Sequence, residues 1–85
     1  MRTIHKFPVN IGANHIPLTA AAKLLTVQEK DQGLNLWVEY DPDDPMVVRT
    51  VELYGTGWKL PEKDTNIYLC TVQHQGYVWH AYETS

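Results

Sequence analysis

The sequence predicts an all-β protein: a single small β-sandwich or partly open β-barrel of about six or seven antiparallel strands over residues 1–85. Three observations carry this reading. Short apolar runs alternate with Gly, Pro, Asn or Asp clusters from Thr3 to Tyr82. Those runs are filled with β-branched and aromatic residues, which suit a pleated, half-buried surface. No stretch of useful length carries the helical period.

A first strand is expected from Thr3 to Val9, ending at the Asn10-Ile11-Gly12-Ala13-Asn14 loop, where Asn and Gly tolerate positive φ. His15 to Thr19 reads as a short extended piece. Thr19 could cap a helix over Ala20-Ala21-Ala22, but Leu25-Thr26-Val27 at once restores β-type residues. A single turn at Ala20 to Ala22 leading into a strand from Lys23 to Glu29 is therefore the expectation.

The next strand has the clearest pattern. Leu34, Leu36, Val38 and Tyr40 alternate with Asn35, Trp37 and Glu39, so the even positions should face the core and Trp37 the other side. Its partner carries Leu25 and Val27. For both apolar sets to share a face the loop between them must be even-numbered, either Gln32-Gly33 or Lys30 to Gly33.

Asp41-Pro42-Asp43-Asp44-Pro45 reads as a turn, with proline presetting φ and Asp capping the backbone. Met46 to Tyr54 follows as a strand with Val47, Val51 and Leu53 on one face. Arg49 falls on that apolar side, which implies an edge or a paired charge. Gly55-Thr56-Gly57 breaks the strand, and Trp58 to Asn66 is irregular around Pro61. The chain closes on a hairpin, Ile67 to Val72 and Tyr77 to Tyr82, around Gln73-His74-Gln75-Gly76. A three-residue turn with a Gly bulge over His74-Gln75-Gly76 would pair residue 70 with residue 80.

Composition narrows the function. An 85-residue chain forms one domain that buries about 60–65% of its unfolded surface, so a few large side chains must supply much of the core. The net charge is −3, and the seven Lys and Arg residues are scattered. That argues against nucleic-acid binding, which concentrates basic residues on one face. Cys70 is the only cysteine, so no internal disulfide can form and a cytoplasmic location is expected. The N-terminal residues lead into no long apolar run, and nothing approaches a membrane span, so neither a secretory signal nor a membrane partner is expected.

Several segments resemble a family of small uncharacterised proteins encoded by bacteriophages and prophages. They are Ile4-His5-Lys6-Phe7-Pro8, Tyr54-Gly55-Thr56-Gly57, Tyr68-Leu69-Cys70-Thr71-Val72-Gln73 and Val78-Trp79-His80. The resemblance runs nearly end to end, and its motifs are short and structural in character. It sets glycine where this chain has Cys70, so it carries no cysteine chemistry. It implies a phage origin and a host-directed or virion-related role.

Catalysis finds little support in the residues. Ser85 is the only serine and sits at the C-terminus. Cys70 and His80 could form a nucleophile and base if the hairpin paired them, but a mid-strand cysteine is more often a small buried hydrophobe. His5, His15, His74 and His80 lie in separate segments without ligand spacing, so no metal or cofactor is expected. Asp41, Asp43 and Asp44, with Glu39, could hold a hard cation but lack the twelve-residue ligand spacing, and the two prolines account for the loop as a turn.

Gly55-Thr56-Gly57 could offer backbone N–H groups to an anion, without the lysine and following helix of a phosphate loop. Trp37, Trp58, Tyr77, Trp79 and Tyr82 exceed what one thin core can conceal. The binding candidates are therefore Trp37, Tyr54, Gly55, Thr56, Gly57, Trp58, Tyr77 and Trp79. The leading expectation is a non-enzymatic phage protein, self-associating, that inhibits a host protein such as one of its defences. One alternative is an oligomer sequestering a small ligand such as a nucleotide signal, with phosphate on Gly55-Thr56-Gly57 and a base on Trp58 or Tyr54. The other is a structural virion component.

Overall fold

A computed structural model describes residues 1–62 and 66–84. The described residues form seven strands and no helix: β1 (Thr3–Val9), β2 (Gly12–Thr19), β3 (Lys23–Lys30), β4 (Gly33–Tyr40), β5 (Met46–Gly55), β6 (Ile67–His74) and β7 (Tyr77–Thr84). All ladders are antiparallel. A three-stranded sheet runs β1-β4-β3 and a four-stranded sheet runs β2-β5-β7-β6. They pack as an open sandwich, the better of the two expected forms.

The core lies between the inner faces. Leu36 and Val38 of β4, Val27 of β3, Leu18 of β2, and Val51 and Leu53 of β5 are all buried. Alternation along β4 produces this: its even positions point inward, and Trp37 points outward between Lys6 and Thr26.

The expected Leu25 and Val27 pairing fails at one residue. Leu24 pairs with Val38 and Thr26 with Trp37, so Leu25 is a bulge. The extra residue swaps the face, leaving Leu24 packed on the core while Leu25 is exposed. The β3–β4 turn is even-numbered, as the pattern requires, but it consists of Asp31 and Gln32. Both have positive φ (54° and 67°), the geometry of a two-residue type I′ hairpin.

β2 starts at Gly12, three residues before the expected His15. Asn14 makes this possible. Its amide donates to the carbonyls of Asn10 (2.9 Å), Gly12 (3.1 Å) and Val51 (3.1 Å) and accepts the Asn10 N–H (2.8 Å). The β1–β2 crossing between sheets is thereby closed by one side chain. The Ala20–Ala21 turn and the Asp41 turn form where expected. In the latter, Asp41 accepts the Asp43 N–H (3.0 Å) and its carbonyl accepts the Asp44 N–H (3.1 Å).

The four edge strands are each blunted. β1 carries Pro8 and β2 carries Pro17, which cannot donate to an incoming strand. The β3 and β6 edges face one another instead. Cys70 Sγ accepts the Val27 N–H (3.2 Å) and lies 3.6 Å from the Val27 carbonyl, and His74 pairs with Glu29 on the same seam.

Arg49 settles as a paired charge. Its guanidinium binds Glu83 of β7 and the carbonyls of Thr19, Ala20 and Ala22. One side chain thus ties the β2–β3 crossing to the centre of the larger sheet.

Candidate functional site at the end of the larger sheet

The terminal hairpin has a two-residue turn. Gln75 and Gly76 both take positive φ (53° and 80°), giving a type I′ turn rather than the expected three-residue form. Thr71 therefore pairs with His80 and Cys70 with Ala81. The Cys70–His80 pairing does not form. Cys70 faces inward with Ala81 toward Val27, and His80 faces outward, because neighbours along a strand point to opposite sides. A second bulge, at Leu69 between Tyr68 and Cys70, restores Tyr68 to the outer face opposite Tyr82.

On that outer face His80 sits in a run of hydroxyls. Its Nδ1 lies 3.0 Å from Thr71 Oγ1 and its Nε2 lies 2.8 Å from Thr56 Oγ1. Thr71 meets the Tyr68 hydroxyl at 2.6 Å, and Thr56 Oγ1 reaches the Val78 carbonyl at 3.4 Å. One direction of donation satisfies every member: Tyr68 to Thr71, Thr71 to Nδ1, Nε2–H to Thr56, and Thr56 to Val78. The network fixes the rotamers of Tyr68, Thr71, His80 and Thr56. Sequence reading missed Thr71 and His80 as site residues because the correct hairpin register is needed to bring them to Thr56.

Tyr54 and Tyr82 pack edge to face beside His80, with ring centroids 5.8 Å apart. Tyr54 is only 7% exposed and donates its hydroxyl to Glu52. Burial, and then the Glu52 carboxylate, push its pKa up to about 12.

β5 ends in a tight turn. The Trp58 N–H donates to the Gly55 carbonyl (3.0 Å), with Gly57 at φ +89°, a type II geometry that suits glycine. The Thr56 N–H donates to the Val78 carbonyl (3.3 Å). These two N–H groups are therefore committed within the fold, so of the Gly55-Thr56-Gly57 backbone the Thr56 N–H is not free to meet an anion.

The turn aims Trp58 back over Gly55 and against Trp79, at a centroid distance of 5.5 Å and an interplanar angle of 83°. Tyr77, two residues back along β7 and on the same face, lies 6.1 Å from Trp79. Trp79 is anchored by its indole N–H to the His74 carbonyl (3.3 Å). The result is a half-buried ring in contact with two exposed ones: Trp58 is 52% and Tyr77 68% exposed.

Two adjoining hollows border this cluster. One, of about 260 Å³, is lined by Tyr54, Thr56, Trp58, Leu60, His80 and Tyr82 among others. The second, about 310 Å³, lies between Trp58, Tyr77 and Trp79 and is mainly apolar. Gly55, Thr56 and Trp58 form the wall they share. Seven of the eight sequence candidates thus converge at this end of the sheet. Trp37 is the exception, lying half-buried on the outer face of the smaller sheet.

Among the described residues no three His, Cys, Asp or Glu side chains come together as a metal site. The histidines bind separate partners: His5 with Tyr40, His15 with Thr50, His74 with Glu29, and His80 with the threonines. Asp41 is engaged by its own turn and by the Met1 amino group (3.2 Å). Among the described residues no helix is long and apolar enough to cross a membrane.

No curated protein and no solved structure matches the chain. A family model described as Domain of unknown function (DUF7352) matches residues 1–85, and the chain belongs to that family.

Proposed function

We propose that this protein is a small non-enzymatic binding module of phage origin that acts in the host cytoplasm by covering a host protein. The observation that carries the reading is the aromatic rim: a half-exposed Trp58 and an exposed Tyr77, both packed on an anchored Trp79. Exposed rigid aromatics beside preformed hollows are the usual makings of an interaction hot spot, since they bury much area at little entropic cost. Separation of Cys70 from His80 onto opposite faces takes away the nucleophile–base pair and supports a role without catalysis. Phage origin rests on the sequence resemblance.

Self-association belongs to the same proposal. With the sheet edges blunted by Pro8, Pro17 and the Cys70 seam, its surface is a side-chain face rather than a strand edge. Met46 and Val48 are exposed on the stretch of β5 that precedes its pairing with β7, which starts at Thr50.

Native mass spectrometry of the protein expressed in its host tests both points. The expected result is a self-associated species in stoichiometric complex with one host protein. Recovery of the protein alone, or carrying only a small molecule, overturns the reading.

A further inference from the structure

We propose that the hollow between Trp58, Tyr77 and Trp79 is an aromatic cage for a small solute that carries a trimethylammonium group. The inference goes beyond the protein-binding reading above and stands without it. The neighbouring hollow, which lies on the opposite face of β7 with His80 and Tyr82, takes no part.

The first argument is the arrangement of the rings. Tyr77 and Trp79 project from the face of β7 that also carries the buried Ala81. Gly55 follows the buried Val51 and Leu53 at the same period along β5, and the Trp58 indole fills the space on that side of its α-carbon. All three rings therefore stand on one side of the sheet. Trp58 meets Trp79 at 83° and Tyr77 meets it at 54°. Rings that cross at such angles enclose corners walled by π-faces, whereas stacked rings hide those faces from a ligand. The face is the negative end of the ring quadrupole, and a cation within about 6 Å of the centroid is attracted to it.

The second argument is charge. Among the described residues no Lys or Arg lines the hollow, and Lys59, next to Trp58 in sequence, lies outside it. A carboxylate stands beside it instead. Tyr77 is paired across the hairpin with His74, on the same face of the sheet, and His74 binds Glu29 Oε2. Glu29 is 43% exposed, and it lines a further hollow that shares Tyr77 and Val78 with this one. The whole chain carries −3. An incoming cation is drawn by the ring faces and by this field, with no positive lining group to repel it.

The third argument selects the kind of cation. The lining is mainly apolar, so a primary ammonium would give up water around its N–H donors against a largely carbon surface. Methyl groups in place of those N–H bonds remove that cost and pack directly on the rings. At about 310 Å³ the hollow lies at the low end of the range for small-molecule sites, which suits a compact head group. A lipid head group would bring a phosphate as well, and among the described residues no cationic side chain lines the hollow to receive it.

The test is a titration of the full chain with choline at about pH 8, above the ordinary histidine range, read from the indole N–H resonances. Those of Trp58 and Trp79 should shift and saturate. Trp37, half-buried on the outer face of the smaller sheet, should stay in place as an internal control. An uncharged isostere, the alcohol with a tert-butyl group in place of the trimethylammonium, should bind about tenfold more weakly, a difference of about 1.4 kcal/mol. Tyr77→Ser should weaken choline binding by a similar factor and Tyr77→Phe should not, because the ring face makes the contact. Glu29→Gln should weaken choline and leave the isostere unchanged. No saturation by choline, or equal binding of the isostere, overturns the proposal. Saturation only by phosphatidylcholine vesicles or by a trimethyllysine peptide overturns the assignment to a free solute.

Discussion

The indole of Trp58 occupies the space that a side chain at residue 55 would need. A Cβ built on Gly55 would lie 2.7 Å from Trp58 Nε1 and 2.8 Å from Cε2, closer than real carbons approach. Since Gly55 is not among the residues with positive φ, its requirement is for space and not for backbone conformation. The rim exists because this strand ends in a residue with no side chain.

Gly55→Ala should therefore displace Trp58 without disturbing β5. Because Trp58 is half-exposed and can swing outward, the cost in stability is about 1 kcal/mol, the low end of overpacking. Near-ultraviolet circular dichroism should lose the Trp58–Trp79 contribution. An unchanged spectrum would show that the two rings do not depend on Gly55.

Arg49 and Glu83 form a two-pronged ion pair, 2.5 and 2.9 Å long, with side chains only 16% and 19% exposed. The same guanidinium satisfies the carbonyls of Thr19 (3.0 Å), Ala20 (3.3 Å) and Ala22 (2.8 Å). Arg49→Met leaves all of these without a donor and should cost about 2–3 kcal/mol in urea unfolding. Arg49→Lys should recover less than half, because an ammonium cannot serve both sides at once. Full recovery by lysine would mean that charge alone matters here.

Tyr54 supplies a pH signature. Its folded-state pKa is pushed up to about 12 from the ordinary 10.0. The folded chain thus keeps a proton that the unfolded chain releases above pH 10. The stability it contributes is complete below that pH and is lost as pH rises toward 12. Phenolate absorbance should show one late-titrating tyrosine that disappears in Tyr54→Phe. If the phenylalanine variant instead lacks an ordinary phenol, Tyr54 is not shielded.

Cys70 should prove structural. Its sulfur bridges the β3–β6 seam to the Val27 backbone. Cys70→Ala should cost about 1–2 kcal/mol, the scale of a small lost core group with one weak hydrogen bond. Partner binding should be unaffected and thiol labelling slow until the chain unfolds. Rapid labelling of the native protein, with loss of binding in the alanine variant, would assign the thiol a functional role.

Much of the fold was legible because it depends on local periodicity. β1 begins and ends where its residues predict, the even positions of β4 face the core, and Arg49 on an apolar face was a sound sign of a paired charge. What escaped was tertiary. The bulges at Leu25 and Leu69 fall on the two strands that share the seam, and nothing in their own residues marks the inserted position. The β3–β4 turn keeps the register of the expected Lys30-to-Gly33 loop, pairing Glu29 with Leu34, but the β6–β7 turn closes one residue tighter than the expected three-residue form, because Gln75 adopts positive φ although glutamine rarely does. That one-residue slip changes faces, so the Cys70–His80 pair dissolved and the Thr56–His80–Thr71 network emerged only in three dimensions. The rim itself was partly legible, since its members are turn and hairpin residues, whereas Trp37 was grouped with them by residue type alone.

The central claim is that the Trp58–Tyr77 rim, and not the Trp37 face, is the contact surface. The most direct measurement compares the partner-bound fraction of the wild type, Tyr77→Ser and Trp37→Thr after expression in the host, by native mass spectrometry, with circular dichroism confirming that each variant is folded. Tyr77→Ser should lose most of the bound partner and Trp37→Thr should keep it. Retention by Tyr77→Ser together with loss by Trp37→Thr, or a wild type with no partner at all, would contradict the account.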